Sequence, residues 1–155
     1  AGRPFPTEGP GFFRNFVTFS AGCHLRDLAN RHDPDEAVAI LDNLVAIQRD
    51  DGSLPGHNYG DRPGRDHYHT DFSVGARRLH ERGALEREHL SMLRRYADWL
   101  VQERSWGDPA GPNLVTVIDQ NETGMEYMDR YAFGRPPEDA WRPFRMGAVD
   151  ATVHA

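Results

Sequence analysis

The feature that most constrains this chain is the uneven spacing of its helix signals. Four stretches carry apolar residues at helical spacing: residues 15–30, a run from Asp33 to Asp51-Gly52, residues 70–82 and residues 86–103. The joins after the first and third are short, whereas those after the second and fourth are long, at about 50–69 and 104–123. Short joins make antiparallel helix hairpins. An up-and-down chain of this kind brings both long joins to one rim. The opening segment Gly9-Pro10-Gly11-Phe12-Phe13-Arg14 falls on the same rim. Irregular, aromatic and polar segments that converge on one end of a helical scaffold are how a pocket is built. The expectation is an all-α fold with its chemistry on that rim.

Local signals support the four helices. The first has Phe16, Phe19, Cys23 and Leu28 near helical spacing, and Gly22 is tolerable there only if close packing requires it. The second opens with Asp33 as N-cap and Pro34 in the first turn, and Asp35 and Glu36 suit the positive end of the helix dipole. Its apolar positions are Val38, Leu41, Leu44, Val45 and Gln48, widened by Ile40 and Ile47. Gly83 ends the third. The fourth carries Leu90, Leu93, Tyr96, Ala97, Leu100 and Val101 as its expected buried stripe. Trp99 and Tyr96 read as packing residues. Strand signal is confined to residues 114–118.

Composition removes several function classes. The net charge of −6 is spread over interspersed acids and bases, which is neither a nucleic-acid stripe nor a basic membrane patch. All 18 basic residues are Arg, so no Schiff-base or phosphate-loop lysine exists in these residues. Cys23 stands alone, which excludes an internal disulfide. No apolar run approaches the ~20 residues of a membrane span, and the first residues do not read as a signal peptide. A cytoplasmic protein is the expectation. The chain opens at Ala1 and closes in Val149-Asp150-Ala151-Thr152-Val153-His154-Ala155, which reads as an element just starting. It is expected to be a piece of a longer protein.

The densest polar segment is Asp119-Gln120-Asn121-Glu122-Thr123-Gly124-Met125-Glu126-Tyr127-Met128-Asp129-Arg130-Tyr131. Glu122 and Glu126 are four apart and share a face if the turn is helical. Gly124 allows a tight backbone or the close approach of a ligand. Tyr127 and Tyr131 offer stacking surface, and Arg130 a cation for a carboxylate. Composition alone would leave Glu122 and Glu126 on a solvated helix face.

This segment resembles the general-acid motif of the α/α-toroid glycosidases, the trehalases and the processing α-glucosidases of glycoside hydrolase family sixty-three. There the pattern is Glu-Ser-Gly, an aromatic or Met, an acid, and then Arg-aromatic four residues further on. Here Glu122-Thr123-Gly124-Met125-Glu126 precedes Arg130-Tyr131, with Glu where Asp is usual. Asp50-Asp51-Gly52-Ser53-Leu54-Pro55-Gly56 is similar to the Asp-Gly-x-(Leu/Ile)-Pro turn after an outer helix of these toroids. The Trp-Asp pair that the family often places near residues 12–24 is missing.

The resemblance implies that residues 1–155 are about half of one (α/α)6 catalytic domain, a partial toroid of antiparallel hairpins. It implies inverting hydrolysis of a small α-glucoside or α-mannoside. Glu126 would be the general acid, and Glu122 a like charge that raises its pKa or a ligand for a sugar hydroxyl. The general base would lie on a later inner helix, outside these residues. Asn121, Arg130, Tyr59, His67, His69 and Asp71 would surround the sugar. No cofactor and no metal is implied. The partners are a carbohydrate substrate and either the remaining helices of the toroid or a second copy.

His67-Tyr68-His69-Thr70-Asp71 also raises a metal reading, with His57 upstream. An HxH pair shares a face only on a strand, and this one precedes a helix, where i,i+4 pairs are the usual ligands. Two readings stay open: a hydrogen-bonding rim, or a cap on the third helix. Asp27, on the first helix with His24 and Arg26, reads as pocket-facing if that helix is an inner one, and otherwise as part of a surface ion pair. A sugar epimerase or polysaccharide lyase would lean instead on His67 and His69. A non-catalytic carbohydrate-binding module would bind without turnover.

Overall fold

Four helices carry the folded core. A computed structural model describes residues 16–31, 34–58, 70–106, 114–117 and 146–147. Helix α1 spans Thr18–Ala29, α2 Asp35–Ile47, α3 Ser73–Glu81 and α4 Arg87–Arg104. Short strands sit between and beyond them: β1 Phe16–Val17, β2 His57–Asn58, β3 Ser105–Trp106, β4 Leu114–Val117 and β5 Met146–Gly147. The all-α expectation holds for the described core, and the strands only bracket it.

Helix α1 starts at Thr18, later than the sequence suggests. Val17 is extended (φ −111°, ψ 120°), and β1 pairs antiparallel with β2, Phe16 opposite Asn58 and Val17 opposite His57. The Thr18 N–H donates to the Gly56 carbonyl at 2.9 Å, and its hydroxyl donates to the Pro55 carbonyl. The buried face of α1 is small: Thr18, Ala21, Gly22, Leu25 and Ala29. Cys23, which helical spacing places on the apolar side, is exposed. Close backbone approach selects the small face. A Cβ on Gly22 would overlap the Thr70 methyl, and one on Gly75 of α3 would lie 2.6 Å from Leu25 Cγ and 3.1 Å from its carbonyl oxygen.

Helix α2 buries Ala37, Ala39, Ile40, Leu41 and Leu44, close to the expected stripe. Pro34 takes the cap position in helical geometry (φ −81°, ψ −9°), and its carbonyl accepts the Val38 N–H at 2.9 Å. Asp33, the expected cap, lies outside the described residues. The helix ends at Ile47, before Asp51-Gly52, because Gln48 turns extended (φ −61°, ψ 133°).

Helix α3 begins at Ser73 rather than residue 70. Asp71 Oδ1 accepts the Ser73 N–H at 2.7 Å, a local bond that competes with an earlier helical turn. The far end closes on Gly83 (φ +70°). Its N–H donates to His80, and the next N–H, of Ala84, donates to Leu79. That pair of bonds is a Schellman cap.

Helix α4 corrects the expected stripe. His89, Met92, Tyr96, Trp99, Leu100 and Arg104 are buried. Ala97 is exposed, and Leu90 and Val101 are 47% and 68% exposed. The helix is rotated from the orientation that hydrophobicity alone suggests, and polar ties to the turn after α2 hold its phase. Gln48 Nε2 donates to the Met92 carbonyl at 2.9 Å, and Arg95 Nη2 donates to the carbonyls of Arg49 and Asp50, each at 2.9 Å.

The pairing of elements produces two layers. Helix α1 packs on α2 and α3, and α2 packs on α4. Along α1 and α3 the contacts rise together, from Gly22 with Phe72 through Leu25 with Gly75 to Arg31 with Arg82, so these helices are parallel. Helices α2 and α4 are parallel by the same reasoning, through Asp42 with His89, Gln48 with Met92, and Arg49 with Arg95. Leu25, Ile40, Leu41, Leu44, Leu79 and Met92 are fully buried in one shared core. At the end of α4, β3 pairs antiparallel with β4, and β4 with β5. Residues 114–117 thus form the strand that the sequence suggests.

Candidate functional site

The rim is built around the turn that follows α2. Gln48 spends both hydrogens of its amide there, one on the Gly52 carbonyl and one on Met92, each at 2.9 Å. The Gly52 N–H donates to Arg49 at 3.0 Å, and the Arg49 N–H donates to Ser53 at 3.0 Å. Asp51 Oδ1 accepts both the Ser53 N–H (2.9 Å) and the Ser53 hydroxyl (2.7 Å). Gly52 is required twice over. Its φ is +93°, and a Cβ would stand 2.6 Å from the Arg95 carbonyl oxygen. Leu54 then plugs the core with no exposed surface. The carbonyls of Pro55 and Gly56 hold Thr18 at the head of α1. Each residue from Asp51 to Gly56 therefore helps to carry the chain from the end of α2 to the rim strand β2.

Partial burial pushes the Asp51 carboxyl up. The hydroxyl and N–H of Ser53, with the nearby Arg49 guanidinium, outweigh that push and hold its pKa below the usual 3.8.

One further segment lies beside α1, and another meets this turn. The segment before α1 joins it through the β1–β2 pair. Residues 70–72 lie against α1 at Gly22, with Thr70 and Phe72 buried. From Phe72 an aromatic column runs into α4. Phe72 meets Tyr96 edge-on at 5.7 Å, Tyr96 stacks on Trp99 at 6.3 Å, and the Arg104 guanidinium lies 5.0 Å over the Trp99 ring. Tyr96 and Trp99 are packing residues, as expected. The β1–β2 pair ties the start of the first helical stretch to the long join after α2; the opening segment, residues 9–14, also expected on the rim, lies outside the described residues.

Of the expected site residues, Asp71 alone is described. It lies exposed just before α3, where one of its oxygens accepts the Ser73 N–H at 2.7 Å. Glu122, Glu126, Asn121, Arg130, Tyr59, His67 and His69 lie outside the described residues. His24 and Asp27 are exposed on α1. Among the described residues, no group of three His, Cys, Asp or Glu side chains is placed to hold a metal ion. No described helix is long and apolar enough to cross a membrane.

The structure adds one polar pair that sequence reasoning passed over. His89 is 2% exposed, and its Nε2 stands 2.9 Å from Asp42 Oδ1. Its Nδ1 accepts the Glu86 N–H at 3.1 Å. Nδ1 is therefore the bare nitrogen, and Nε2 carries the proton toward Asp42. His89, at the third helical position, reaches back to the N–H of Glu86 before the helix, one half of a capping-box pattern; Glu86-x-x-His89 is not its sequence signature, which is why the pair escapes a sequence reading. Both ring nitrogens are committed, so this pair braces the two helices and offers no free group to a substrate. No protein-family model, curated protein or solved structure matches this chain.

Proposed function

We propose that these residues belong to an inverting glycoside hydrolase of the α/α-toroid kind, acting on a small α-glucoside or α-mannoside. The observation that carries the reading is the segment Glu122-Thr123-Gly124-Met125-Glu126 with Arg130-Tyr131. Glu126 protonates the departing glycosidic oxygen. A second carboxylate, contributed from outside residues 1–155, activates water on the opposite face of the sugar. Inversion needs the two carboxyls roughly 6.5–9.5 Å apart, to leave room for that water. Glu122 keeps Glu126 protonated through like charge or binds a hydroxyl. Asn121, Arg130, Tyr59, His67, His69 and Asp71 bind the sugar around them.

Three features of the fold support this reading. The helices alternate between two parallel layers, α1 with α3 and α2 with α4, as inner and outer helices of a toroid do. The Asp51–Pro55 turn leads from an outer-layer helix to the rim. Leu90, Ala97 and Val101 leave an apolar flank on α4 about half a turn from the flank that faces α2. That flank is where a continuing layer adds its next helix.

The test is an assay of the longest natural protein that contains these residues, with α-glucosides and α-mannosides, the released anomer followed by NMR. Turnover with inversion, reduced at least about a hundredfold in Glu126→Gln, is expected, since general-acid catalysis contributes about 10²–10⁴-fold. Turnover that survives Glu126→Gln but is lost in His67→Ala or His69→Ala would replace the hydrolase with an epimerase or lyase reading. Sugar binding without turnover would leave a binding module.

A further inference from the structure

We draw no further inference here: the strongest candidate, the exposed apolar flank of α4 carrying Leu90, Ala97 and Val101, already belongs to the layered reading above, and nothing in the structure shows whether another helix of this protein, a second copy or a different partner covers it.

Discussion

The two flanks of α4 both carry apolar residues and are opposite in fate. One carries Met92, Arg95 and Trp99 and lies toward α2; the other carries Leu90, Ala97 and Val101 and lies open. A hydrophobic count does not separate them. Directional bonds do: the Arg95 guanidinium and the His89 imidazole reach the turn after α2 and α2 itself, and the Gln48 amide of that turn donates to the Met92 carbonyl of α4. Burial per area is non-directional, so it favours a core without choosing the rotation of the helix. Polar groups with fixed geometry make that choice.

Substitutions on the two sides sharpen the contrast. Met92→Ala removes a fully buried side chain between α2 and α4, and urea unfolding should show a loss of about 2–5 kcal/mol. Gly52→Ala puts a methyl group against the Arg95 carbonyl in a left-handed backbone. It should cost about 1–3 kcal/mol from conformation alone, with the overlap adding to that. A smaller loss in either variant would mean that the turn and α4 are less tightly joined than the bonding indicates.

Acid should weaken the same flank through the turn. The Asp51 carboxyl has a lowered pKa in the folded chain, so its contribution is present above the usual value of 3.8 and is lost as pH falls through the folded value. Unfolding midpoints compared between neutral pH and pH 3 should fall more in the wild type than in Asp51→Asn. Equal falls would remove Asp51 from the acid response.

On the open flank, Val101→Ser should change stability by no more than about 0.5 kcal/mol. A loss of several times that size would mean that Val101 is covered in solution.

Much of the helical frame was legible in the sequence. Leu41, Leu44, Tyr96 and Leu100 lie on expected stripes, and Gly83 ends α3 as composition suggests. The starts of α1 and α3 were not legible, because each is set by a bond to a neighbour, Thr18 to Gly56 and Ser73 to Asp71. The rotation of α4 was hidden for a similar reason. Tyr96 and Leu100 fit either orientation, and only a partner on α2 decides between Met92 and Ala97. Two-residue strands such as β1 and β2 carry too few residues for a period of two to register. At the candidate site, the spacing around Asp71 does not reveal the local bond from the Ser73 N–H that one of its oxygens accepts. The chemistry proposed for residues 121–131 rests on motif and spacing.

The His89 contact also works as an index mark for α4. Its imidazole is anchored to the first residue before the helix and points at one carboxylate on α2. Each residue added to or removed from the α3–α4 turn would rotate the helix by about 100° if the start of the helix kept its place. Asp42 would then face a different side chain, and a different row would lie bare. The length of the five-residue turn, residues 82–86, is therefore matched to the His89, Gln48 and Arg95 contacts that hold α4 in phase.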